Sequence, residues 1–140
     1  MSTTTSSVYT HLVEYCETDA MKIVHHAEYI KWMEYARHQY MLACGFDWAK
    51  LENDYGIMMP ILEVTMKYEN MTRFGDTIDV YATLEKFNGV YMFFSYAVHD
   101  HLTGERKAIG RTKSGFIDKD YRPIILQNVC PTYYERLIIE

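Results

Sequence analysis

Positive charge is scarce in this chain. Fourteen Lys and Arg stand against 19 Asp and Glu, for a formal net charge of −5. That balance excludes a general binder of nucleic acid or anionic membrane, which needs clustered positive charge. It leaves room for one small anionic ligand held by a local patch. Cysteine is scarcer still: Cys16, Cys44 and Cys130 lie far apart, and no C-x-x-C pair occurs. Neither a disulfide scaffold nor a structural zinc site is expected, and a reducing, cytoplasmic address is. No run approaches the ~20 apolar residues of a membrane-spanning helix. The polar start Met1–Ser7 has neither the basic nor the apolar segment of a secretory leader, so none is expected. With only three Pro and seven Gly, the chain shows no linker and no low-complexity stretch.

What the chain has is apolar surface: 49% of its residues are hydrophobic and 13 are tyrosine. Its 140 residues fit one domain, large enough to bury a core without a metal or disulfide staple. Residues 1–7 are expected as a disordered tail and 8–140 as a single domain.

Val8 to Tyr15 is β-branched and aromatic, which predicts a strand. Cys16 to Val24 breaks the pattern and carries Glu17, Thr18 and Asp19, a loop. From His26 to Cys44 there is no Gly or Pro, and Gly45 follows where a C-cap is favoured. Tyr29, Met33, Ala36, Tyr40 and Ala43 recur at helical spacing, so this segment reads as a long helix covered on most sides. Asp47 can cap a second short helix ending before Gly56. The period then changes to two. Leu62, Val64, Met66 and Tyr68 alternate with Glu63, Thr65, Lys67 and Glu69. Ile78, Val80, Ala82 and Leu84 alternate with polar neighbours, and Met92, Phe94, Tyr96 and Val98 line one face of the next strand. Asn88-Gly89 signals a two-residue hairpin. A strand over Arg106–Ile117 and a short helix around Thr132–Leu137 complete the pattern. A mainly antiparallel sheet must bury one face, and the long helix is the large apolar partner available. The expected class is α+β, a curved antiparallel sheet wrapped around one long helix.

The densest polar chemistry lies in Tyr15 to His26. Asp19 precedes the long helix, whose start carries unpaired N–H groups and partial positive charge. Such an end can hold a carbonyl oxygen as it becomes an oxyanion, while a nearby carboxylate activates water or attacks the carbonyl itself. Asp19 with the amide of His26 therefore suffices for hydrolysis of an activated acyl group. The competing reading is structural: an Asp before a helix commonly caps it or shapes a turn, and a Tyr at a strand end packs.

Tyr15-x-x-x-Asp19, then Ile23-Val24-His25-His26-x-x-Tyr29-x-x-Trp32-x-Glu34-x-x-Arg37, resembles the 4-hydroxybenzoyl-CoA thioesterase family, and within it the YbgC-like acyl-CoA thioesterases. The resemblance continues through Asp47-Trp48, Gly56-Ile57, Tyr68, Phe74-Gly75-Asp76 and Gly110-x-Thr112 to Pro123. It implies the hotdog fold, hydrolysis of acyl-CoA to free acid and CoA, and a homodimer or homotetramer (a dimer of dimers) with sites at the subunit interface. No cofactor is implied. By position, Asp19 matches the catalytic carboxylate, as nucleophile or general base. His26 matches the residue whose amide polarises the thioester, and Tyr15 matches a tyrosine flanking the site. The family often has Gly three residues after the Asp; here Lys22 stands there, and if the turn needs φ > 0 it is strained.

His25, Lys22 and Met59 are further candidate substrate contacts. So are Arg111 and Lys113, because residues 105–122 hold 6 basic against 3 acidic side chains and could receive the phosphates of CoA. Glu34 and Arg37 can pair along the helix. His11, His38, His99 and His101 show no metal-ligand spacing, so no metal is expected. Two other functions compete: a non-catalytic hotdog protein that binds acyl-CoA or an acyl carrier, and a hotdog hydratase. Tight binding without turnover would mark the first, and hydration of crotonyl-CoA the second.

Overall fold

The computed structural model describes residues 6–137. Five strands form one antiparallel sheet: β1 (Ser6–Leu12), β2 (Ile61–Tyr68), β3 (Thr77–Phe87), β4 (Tyr91–Asp100) and β5 (Arg106–Gly115), in the spatial order β1-β3-β4-β5-β2. The long helix α1 (Glu28–Ala43) packs on one face, followed by α2 (Trp48–Tyr55) and, at the end of the chain, by the short α3 (Leu126–Val129) and α4 (Pro131–Glu135). This is the hotdog arrangement expected from the sequence.

Period-two alternation builds the inner face. Ile78, Val80, Ala82 and Leu84 of β3 and Met92, Phe94, Tyr96 and Val98 of β4 are all buried. Against them α1 buries Tyr29, Trp32, Met33, Ala36, Tyr40 and Met41. One strand position must be glycine for this approach: a Cβ on Gly110 would lie 2.8 Å from the Met33 sulfur and 3.0 Å from the Thr65 carbonyl. Arg37 is buried as well, donating to Glu34 at 2.7 Å, the pair expected from their spacing.

Several boundaries differ from the sequence reading. β1 begins at Ser6, so Ser6 and Ser7 are paired rather than part of a tail; residues 1–5 lie outside the described residues. β1 also stops at Leu12, and Tyr15–Glu17 forms a single 3₁₀ turn. α1 starts at Glu28, two residues later than expected. Asp47 does cap α2, accepting from Ala49 N at 3.0 Å and Lys50 N at 3.3 Å. The β3–β4 hairpin centres on Gly89-Val90, one residue beyond expectation, because the Asn88 side chain accepts from Val90 N and Tyr91 N and turns the chain itself.

α1 approaches β1 and β3 most closely, leaving β2 at the far edge. Of the inward-facing side chains there Met66 packs against the core, whereas Val64 is 38% exposed and Tyr68 44%; Leu62, at a break in register, is 50% exposed.

Candidate active site

Residues 18–24 fold into a miniature hairpin. Thr18 bridges Val24, the Asp19 amide donates to the Ile23 carbonyl at 2.9 Å, and the Lys22 amide donates to the Asp19 carbonyl at 2.9 Å. The side chain of Asp19 shapes the turn too, its Oδ1 accepting from Met21 N at 2.8 Å. The turn does require left-handed backbone at its fourth position, for Lys22 has φ 64°. Gly would reach that conformation freely, whereas Lys pays about 1 kcal/mol.

After this hairpin the chain enters α1 through His25, His26 and Ala27. The imidazole of His25 accepts from the Ala27 amide at 3.2 Å, and its carbonyl accepts from the Glu28 amide at 3.0 Å. Peptide planarity then sets the next group. With the His25 carbonyl turned toward the helix, the His26 N–H points the other way. Among the described residues it has no acceptor. The His26 carbonyl accepts from the Tyr68 hydroxyl at 2.7 Å, which locks the following peptide. Tyr68 comes from the end of β2, and its ring meets Tyr29 edge-on at 5.1 Å. Tyr29 donates in turn to Thr72 Oγ1 at 3.0 Å. Burial raises both phenols above their ordinary values, so both remain donors at neutral pH.

Asp19, His26, Tyr29, Tyr68, Met71 and Thr72 line one cleft of about 290 Å³. Asp19 and His26 thus line the same cleft. A carboxylate with a free oxygen, an unpaired amide and aromatic walls can accommodate an acyl group and respond to charge on its carbonyl oxygen.

The other candidates are placed elsewhere. Tyr15 is 75% exposed and rests its ring on Phe74 at 5.6 Å, outside the cleft lining of its own chain. His25 precedes α1, its imidazole accepting from the Ala27 amide, and stacks on His26 at 4.2 Å. Lys22 is exposed at the turn. Met59 lines a separate cavity of about 190 Å³ with Glu34, Arg37, Trp48 and Met58. Arg111 and Lys113 lie away from the Asp19 cleft. Alternation along β5 turns both to the outer face, whereas Tyr68 and the cleft belong to the inner one. Lys113 is engaged there, 4.3 Å above the Tyr91 ring and 3.8 Å from Glu63. Arg106 is held by both carboxylate oxygens of Glu69, and Lys107 by Glu105.

Sequence reasoning missed Thr72 and Met71 as cleft residues. It placed Tyr68 on the inner face of its strand, but nothing in the spacing put it against His26, 42 positions away. Among the described residues no group of His, Cys, Asp and Glu is placed to hold a metal ion, and no helix is long and apolar enough to cross a membrane.

Known proteins share both the sequence pattern and the architecture. YneP of Bacillus subtilis (strain 168), whose acyl-CoA thioesterase name is provisional, is 28% identical over 123 residues, covering 87% of this chain and 88% of the relative. The structure of DHNA-CoA thioesterase from Staphylococcus aureus superposes with a TM-score of 0.89 at 27% identity, covering 94% of this chain and 87% of that one. 4-Hydroxybenzoyl CoA thioesterase from Pseudomonas sp. strain CBS-3 shares the fold, with a TM-score of 0.82 at 18% identity, covering 95% and 99%. Residues 13–131, which hold α1, β2–β5 and the Asp19 cleft, match the Thioesterase-like superfamily, and this chain is a member of it.

Proposed function

We propose that this protein hydrolyses acyl-CoA thioesters to the free acid and CoA. The observation that carries the reading is that Asp19 and His26 line one cleft, with the His26 amide unpaired among the described residues. The His26 N–H donates to the thioester oxygen and holds it as it becomes an oxyanion. Asp19 then acts by one of two routes. As base, it takes a proton from water as the water oxygen attacks the carbonyl carbon; collapse expels the CoA thiolate, which takes the proton back. As nucleophile, it attacks the carbonyl carbon itself, expelling the thiolate and leaving a mixed anhydride that water cleaves. Tyr68 serves both routes by fixing the peptide on the other side of His26.

Aromatic acyl-CoAs are the first substrates to try. The cleft wall is made by Tyr29 and Tyr68, and two of the structures above are named for aromatic acyl-CoA substrates. Release of CoA thiol across a panel of acyl-CoAs tests the activity. Asp19→Asn should lower the rate about 10²-fold or more. A variant retaining over a tenth of the wild-type rate would remove Asp19 from the chemistry. ¹⁸O-water under single-turnover conditions separates the routes, since label entering the Asp19 carboxylate marks the anhydride.

The exposed edge of β2 supports a homodimer. An edge strand with uncovered Leu62 and Val64 and a free row of backbone groups pairs readily with a second copy across a two-fold axis. Such pairing covers the inner face beside Tyr68 and closes the cleft on that side. Sedimentation equilibrium at a single-chain mass would count against it.

A further inference from the structure

Glu17 lies two residues before Asp19 and is only 8% exposed. Its carboxylate accepts three hydrogen bonds, each 2.8 Å long: from Trp32 Nε1 of α1, from His11 Nε2 of β1 and from the Glu14 amide. Its carbonyl accepts a fourth from the His25 amide at 2.9 Å. The array extends one step further, because the Tyr9 hydroxyl bonds His11 Nδ1 at 2.8 Å.

A hydroxyl, an imidazole and a carboxylate in sequence resemble a nucleophilic triad. Tyr9 is no nucleophile, however. Burial and nearby negative charge push its phenol above the ordinary value. What the network does is mechanical. Asp19 leaves Glu17 along one arm of the small hairpin, and His26 follows His25 at the end of the other. Glu17 holds the first arm to α1 and β1 through its side chain, and the second arm to the first through its carbonyl.

We infer that Glu17 is the positioning residue of this site, holding the Asp19 carboxylate and the His26 amide in one rigid frame. This rests on the catalytic reading of Asp19 given above. The reason is geometric: a reacting pair must stay within about 0.5 Å of its productive arrangement, which a turn on the surface cannot ensure by itself. Lys22 makes the need greater, since its left-handed backbone biases the free turn away from the observed shape. Burial alone would raise the Glu17 carboxyl, but the Glu14 amide, His11 and Trp32 outweigh it and hold it below its ordinary value. The anchor is therefore ionised at neutral pH, where its bonds are strongest.

The test compares wild type, Glu17→Gln, Asp19→Asn and the double variant on the acyl-CoA that wild type cleaves fastest. Gln offers one acceptor oxygen to three donors and presents an NH₂ to them besides. Glu17→Gln should lower kcat about ten- to a hundred-fold while KM changes by about two-fold or less. The double variant should be slowed by less than the product of the two single factors, because part of what Glu17 does runs through the Asp19 carboxylate. Hydrogen exchange at the Asp19, Val24 and His25 amides should quicken in Glu17→Gln, with the middle of α1 unchanged. A folded Glu17→Gln protein with wild-type kcat and exchange would overturn the inference. So would a double variant slowed by the full extra factor. If Glu17→Gln does not fold, Trp32→Phe removes one donor and is read by the same kcat and exchange, with wild-type values again overturning it. Should Asp19→Asn keep its rate, the catalytic reading fails, and amide exchange alone then decides whether Glu17 anchors the hairpin.

Discussion

Two carboxylates two residues apart divide this protein into an anchored wall and a working cleft. Behind the wall, Glu17 is buried and three donors occupy its oxygens. In the cleft, Asp19 is half-buried and accepts one bond, from Met21 N to Oδ1, leaving its other oxygen without a partner among the described residues. The same functional group thus has two fates. A carboxylate whose lone pairs are filled by fixed donors stabilises structure, and one with a spare oxygen facing a cleft is available to water or to a carbonyl.

The largest effect should come from the cleft. Asp19→Asn, measured by CoA release and by thermal unfolding, is expected to lose about 10²-fold in rate while Tm stays nearly constant. A large fall in Tm would show that Asp19 belongs with the wall. Glu17→Ala should do the converse to stability, costing about 2–4 kcal/mol in denaturant unfolding, because the buried Trp32 donor and the part-buried donors on His11 and Glu14 lose their acceptor. Acid sharpens the same point. The Glu17 carboxyl sits below its ordinary value in the folded chain. Its stabilisation is therefore complete above the ordinary glutamate value and disappears as pH falls through the lowered one. The Tm difference between wild type and Glu17→Gln should accordingly shrink on acidification through that window; a constant difference would mean the carboxylate's charge contributes nothing.

Tyr68→Phe should have a smaller effect, about five-fold on kcat, the worth of one hydrogen bond to the His26 carbonyl. An unchanged kcat would show that the hydrogen bonds of His25 to Ala27 and Glu28 orient the amide without help. Least of all is expected from Arg111→Ala combined with Lys113→Ala. Both residues face the outer side of the sheet, so KM for an acyl-CoA should move less than about two-fold. A rise in KM for acyl-CoA but not for a short thioester lacking the nucleotide would put the phosphates on that outer face after all.

Much of the fold was legible in the residues themselves. Alternation over β3 and β4 and the helical spacing from Tyr29 to Tyr40 report burial directly, because each period maps onto one face. Boundaries were less legible. α1 begins at Glu28 with Ala27 at its N-cap and no side-chain cap, so no Asp or Ser marks its start in the sequence. The hairpin shifted because Asn88 turns the chain with its own side chain. In the site, Asp19 and His26 could be named in advance since both belong to one local segment. Tyr68 and Thr72 could not, as they arrive from β2 and the loop after it. The basic count over 105–122 left direction open: Arg111 and Lys113 alternate onto one face, and spacing does not say on which face the cleft opens.

By itself, then, the sequence determined the inventory and the local geometry: one antiparallel sheet, one long helix and a polar turn carrying Asp19 ahead of the helix start. Those follow from periodicity, capping and backbone preference, which act over a few residues. Only the tertiary structure decided that Glu17 is filled and Asp19 is not, that Tyr68 closes over His26, and that the basic strip lies on the other side of the sheet. Each depends on which atoms meet across the fold, and burial and hydrogen-bond saturation are set by those meetings.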